Sequence, residues 1–173
     1  PIFISFICLF LKKGKVRDSL LSYMAFVTIL GSISTIIIPD SCLVSDILVN
    51  IHTMWLHLGS FVVSVYLIMS GVVKLNKKNF FRAIYVFLGF VCIAFLMNII
   101  VYNSGILNGE TFDMFYISPY FISSLPVFDV IQESVCYVLF LLIYIVALSL
   151  GAGIIYWISK FISICFKRCK KIH

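Results

Sequence analysis

The sequence predicts an all-α fold, a polytopic transmembrane helical bundle. Three observations carry that expectation. Of 173 residues, 62% are hydrophobic and only 12% charged, where a soluble domain carries about a quarter charged residues. The apolar residues fall in blocks of roughly twenty, the length a helix needs to cross the hydrocarbon core. The basic residues are confined to the gaps between alternate blocks, giving a net charge of +6 with a one-sided distribution.

Five membrane segments are expected within a single transmembrane domain covering residues 1–173. The first, residues 1–11, is too short: eleven residues of helix rise only about 16 Å, roughly half the hydrocarbon thickness. With proline rather than methionine at position 1, it is expected to be a truncated span. The second, 19–38, ends at Pro39 and carries Thr28, Gly31, Ser32 and Thr35 at offsets of 0, 3, 4 and 7. Small and hydroxyl residues on one face let membrane helices approach closely. The third span covers 46–73, the fourth 83–102 and the fifth 130–158.

Lys12, Lys13, Lys15 and Arg17 join spans one and two, and Lys74, Lys77, Lys78 and Arg82 join spans three and four. Lys160, Lys167, Arg168, Lys170 and Lys171 follow span five. Asp40, Asp46, Glu110, Asp113, Asp129 and Glu133 lie at the other ends, and only Asp18 sits with the bases. The positive-inside rule therefore makes the basic ends and the C-terminus cytoplasmic, and the loops 39–45 and 103–129 extracytoplasmic, in a multi-pass protein of the cell membrane. The charge is absorbed by topology; no nucleic-acid motif accompanies it. The loop 103–129, aromatic and without a base, is expected to lie as an amphipathic lid at the outer interface.

The six cysteines have no CxxC or regular spacing and read mostly as small apolar core residues. Cys165 and Cys169, beside a basic run, carry an acylation alternative. No cofactor and no metal site is expected.

The third span holds the polar side chains that stand out. At about 100° per residue, with Asn50 at zero, Thr53, His57, Ser60, Ser64 and Asp46 fall with it inside an arc of about 80°. Polar groups at membrane depth face the bundle interior or a wet cavity, so this arc is a polar seam. His57 lies about 16 Å below Asp46, near mid-membrane. His52 stands well off the seam and nearer the outer surface. Five residues separate the two histidines, whereas a chelating pair on one helix wants three or four. His57 reads either as a neutral packing residue, with Thr53 one turn away, or as a base or proton relay. Asn98, one turn from the outer end of span four, is a further polar group for hydrogen bonding across the bundle.

The runs ILGSISTIIIPD, IHTMWLHLG, FDMFYISP and LPVFDVI resemble the YwaF-type bacterial integral membrane proteins, which are related to a eukaryotic seven-helix membrane acyltransferase. The resemblance implies that this chain holds the last five of seven helices. A proline-leucine-histidine-leucine-cysteine motif, with its acyl-accepting thiol, would precede Pro1, and Cys8 is not a match to it. It implies acyl transfer between membrane lipids, in which a histidine activates the thiol. His57 would be the catalytic base, His52 the second choice, and Asn98 a polar partner. Two other classes stay open: a structural or partner-binding membrane subunit whose seam is filled by another helix, and a small-solute or proton transporter.

Overall fold

The computed structural model describes residues 2–39, 43–108 and 110–169. Pro1, Asp40, Cys42, Lys170 and Lys171 lie outside the described residues. Among those described there are helices, turns and coil but no strand. Among the described residues four helices are long and apolar enough to cross a membrane: Lys15–Ile37, Ile47–Met69, Lys77–Asn103 and Tyr137–Cys165. Segment 1–11 forms a helix of nine residues, well below spanning length. The chain divides into two compact units, Pro1–Val86 with Leu148–His173, and Phe87–Ala147.

The first unit opens with α1 (Ile2–Phe10) and then α2 (Lys15–Tyr23), which begins after Gly14. The Arg17 Nε donates to the Cys8 carbonyl at 3.0 Å, satisfying one of the carbonyls that α1 leaves open at its end. From α2 the helix widens into a π turn, Met24–Thr28, and tightens again into α3 (Ile29–Ile37). It stops at Ile38 because the residue before a proline is pushed out of the helical region; Ile38 has φ −126° and ψ 73°.

This Lys15–Ile37 run is the interior helix of its unit. Buried residues make up 61% of its apolar window, against 17% for Ile47–Met69. Phe26, fully buried, meets Tyr156 edge-on at 5.7 Å between ring centroids and Phe80 at 6.4 Å.

Helix α4 (Ile47–Met69) starts at an N-cap, Asp46, whose carboxylate accepts from the Leu48 and Val49 amides. It ends at Met69, and two residues on Gly71, with φ of +71°, turns the chain back through the left-handed region that glycine enters without steric cost. Its outward face carries Leu48, Trp55, Val62, Tyr66 and Met69, all well exposed, the composition expected of a face turned to acyl chains.

Helix α5 (Lys77–Asn103) runs from the first unit into the second. Asn79, Ala83, Phe87, Val91, Ala94 and Asn98 are its buried positions, at steps of four and three, one face of a 3.6-residue helix.

In the second unit, a short 3-10 turn, Met114–Tyr116, sits inside the loop after α5, followed by α6 (Phe128–Ser134). The backbone is extended at Val135, with φ −131° and ψ 164°, before α7 (Tyr137–Cys169) leads back to the first unit. The fifth expected span, 130–158, is thus broken near its start and carried further at its end. The loop is pinned by side chains. Gln132 donates to the Phe121 and Ser118 carbonyls and accepts from the Ser123 amide, and the Tyr137 hydroxyl donates to the Ile117 carbonyl at 2.6 Å. Tyr102 and Tyr120 stack at 3.7 Å between centroids.

Candidate functional site

The polar arc of α4 separates by depth. At the helix mouth Asp46 is exposed and spends its carboxylate on the cap. Asn50 clamps the incoming chain, accepting from the Val44 amide at 2.8 Å and donating to the Val44 carbonyl at 2.7 Å. Both residues start the helix and fix its entry angle.

Deeper down, Thr53 and His57 are half-buried, and Ser60 and Ser64 are buried. Ser60 donates to the Leu56 carbonyl. The Ser64 hydroxyl lies 2.8 Å from the Met24 carbonyl and 2.7 Å from the Ser60 carbonyl, sharing its proton between them. Met24 opens the π turn, where the shift from i+4 to i+5 pairing loosens the helix's own ladder. A side-chain hydroxyl from α4 therefore reaches the main chain of its neighbour where that main chain is most available.

The Ser64–Met24 contact sets the register of the hairpin formed by α3 and α4. Stepping about 1.5 Å per residue in opposite directions brings Ser60 level with Thr28, His57 level with Gly31 and Ser32, and Thr53 level with Thr35. Thr28, Ser32 and Thr35 are all buried. Two hydroxyl-bearing helix faces thus run past each other in the first unit, with the imidazole of His57 between a buried serine pair and a threonine. Thr35 donates to the Gly31 carbonyl at 3.1 Å, whereas the Ser32 hydroxyl has no hydrogen-bond partner among the described residues.

His57 makes no hydrogen bond among the described residues, while Asp46, Asn50, Ser60 and Ser64 are each committed. A neutral imidazole with both ring nitrogens open can take a proton on one and donate from the other. His52, five residues earlier, is exposed, on the side of α4 away from the serines.

Asn98 belongs to the second unit. Its amide donates to the Met114 carbonyl at 3.1 Å and accepts from the Met114 amide at 2.8 Å, so both ends serve the loop. Sequence reasoning gave no role to Gln132, which holds three main-chain groups of that loop, nor to Asn79. Side-chain clamps of this kind leave no periodic trace.

Asp113 accepts from the Ser118 amide at 2.7 Å, yet burial pushes its carboxyl up to about 6 against that bond and one from Ile117. A carboxyl raised above its ordinary 3.8 favours the protonated folded state, so its stabilisation is complete below about pH 4 and lost as pH rises through about 6. Amide exchange at Ile117 and Ser118, corrected for intrinsic rates, is expected to show protection falling over that window and levelling off above it. Asp113→Asn, which keeps an acceptor for Ser118 and cannot ionise, is expected to flatten the profile; an unchanged slope would exclude Asp113 as the titrating group.

Among the described residues no three His, Cys, Asp or Glu side chains gather closely enough to hold a metal ion. Cys8, Cys92, Cys136 and Cys165 are free thiols, and Cys8 is buried. A family profile described as the TMEM164 family matches residues 1–156. No curated protein and no solved structure matches the chain.

Proposed function

The chain belongs to the TMEM164 family, a family of membrane proteins, and from that membership and the seam around His57 we propose that it moves acyl chains between membrane lipids by thiol chemistry, with His57 as the base. The observation that carries this reading is an imidazole midway along α4 with no hydrogen bond among the described residues, next to Ser60 and Ser64, whose hydroxyls are both engaged. Membrane lipids are the substrates. The basic helix ends face the cytoplasm of a cell-membrane protein, and the attacking nucleophile is a cysteine thiol, as the resemblance to YwaF-type proteins implies.

In the first half of the reaction His57 accepts the thiol proton, and the thiolate attacks the ester carbonyl of a donor lipid. The carbon–oxygen bond breaks, His57 returns the proton to the departing lysolipid hydroxyl, and the acyl group stays on sulfur. In the second half a hydroxyl of another lysolipid loses its proton to His57 and attacks the thioester, which breaks at carbon–sulfur and regenerates the thiol.

General-base groups contribute about 10²- to 10⁴-fold. Reconstituted in vesicles with labelled donor and acceptor lipids, the full-length protein with His57→Ala is expected to exchange acyl chains at least about a hundredfold more slowly. His52→Ala is expected to stay within about twofold, since His52 stands off the seam. Exchange unaffected by His57→Ala would remove the base and the reading with it.

A further inference from the structure

Beyond the end of the histidine helix, the first unit holds a partly open cavity of about 280 Å³ whose polar lining is Asp18, Ser22, Lys74, Asn76, Lys78, Asn79 and Arg82. Three of these side chains are cationic and one is anionic. The cavity lies where three membrane-length helices have their ends: α2 begins at Lys15, α4 stops at Met69 and α5 starts at Lys77. In a bilayer that level is the headgroup layer.

The lining is built. The Asn76 side chain accepts from the Asn79 amide at 2.8 Å, starting α5, and Asn79, itself buried, donates to the Lys74 carbonyl at 3.1 Å. Asn79 also accepts from Arg82 Nη1 at 3.2 Å. Arg82 Nη1 stands 3.6 Å from Asp18, which is long for a charge-assisted bond. Its Nε and Nη2 are uncommitted among the described residues. A guanidinium held in place on one side, with open donors on the other and two lysines at the same cavity, is the donor set that recognises phosphate oxygens.

We propose that this cavity binds a phosphate-bearing anion, with Arg82 as the oriented donor and Lys74 and Lys78 as the charge. Its volume is just under the usual range for ligand pockets, about 300–1,000 Å³, so it takes a headgroup-sized phosphate and leaves any attached acyl chains outside, along the exposed faces of the helices. The site holds whether or not His57 transfers acyl groups.

The full chain in a neutral detergent is titrated calorimetrically with dioctanoyl phosphatidylglycerol and, in parallel, with inorganic phosphate. Saturable one-site binding is expected. Lys74→Ala with Lys78→Ala is expected to weaken it about tenfold or more, from the usual contribution of a basic residue near a charged lipid surface. Lys12→Ala with Lys13→Ala removes the same charge outside the cavity and is expected to change it less than about twofold. Binding of the lipid alone identifies a lipid headgroup; binding of both ligands identifies a free phosphate anion. No saturable binding of either, or equal weakening by the two double variants, overturns the site.

Discussion

Phe26→Ala is expected to lower the melting temperature of the detergent-purified protein by about 10 °C. Phe26 is fully buried inside the π turn of the interior helix, against Tyr156 and Phe80. Truncating a buried phenylalanine costs about 3–5 kcal/mol. In a membrane protein the transfer part shrinks, because lipid tails are as apolar as the core, but the lost packing remains. The lower end, about 3 kcal/mol, is therefore the expected cost, and at about 2–4 °C per kcal/mol for a chain of this length the shift follows. Trp55→Ala, on the outward face of α4 where the side chain is 74% exposed, is the control and is expected to move the midpoint by less than about 2 °C. Equal shifts from the two would mean that the Lys15–Ile37 run is not the interior helix.

Asn98→Leu acts on a different part of the molecule. Asn98 is 1% exposed and supplies both a donor and an acceptor to the main chain of Met114. Leucine fills the volume and strands the two groups, each at about 1–3 kcal/mol. A loss of 2 kcal/mol or more, on the order of thirtyfold in the open population, is expected to appear in the loop first. Proteolytic cleavage within residues 104–127 tracks that population when opening is fast, so it is expected to rise about thirtyfold while the helices stay protected. Cleavage no faster than in the parent protein would show that Asn98 does not hold the loop.

The helices were legible because hydropathy and length are one-dimensional quantities. Pro39 marked the end of α3, and the apolar blocks could be read as helices of membrane length, but the bases Lys77, Lys78 and Arg82, read as a link before a span starting at 83, form the first turns of α5. The helical wheel also set Ser60 and Ser64 on the inward face of α4, where they are buried. What a wheel lacks is depth and context. Asp46 and Asn50 share the arc with His57 but sit at the helix mouth, where an N-cap and a loop clamp are the stronger demands on an acid and an amide. Asn98 was read as a polar group bonding across the bundle, and its partner is the main chain of Met114 in the following loop, sixteen residues on. The break at Val135 was missed although the run VIQESVCYV holds a polar triplet, Gln132, Glu133 and Ser134, just before it. The interruption goes with Gln132 binding three main-chain groups of the loop, a partnership that hydropathy does not show.

The widened turn at Met24–Thr28 also governs how this stretch can vary in length. It accommodates one residue more than an unbroken α-helix would, so excising a single position there would restore regular winding with the flanking segments still in phase. Ser32 and Thr35 would keep their face toward α4, while Ser64 would lose the loosened carbonyl it reaches. A one-residue gap elsewhere in the run would instead rotate everything beyond it by about 100°, so relatives that keep the facing hydroxyls should place such a gap within these five positions.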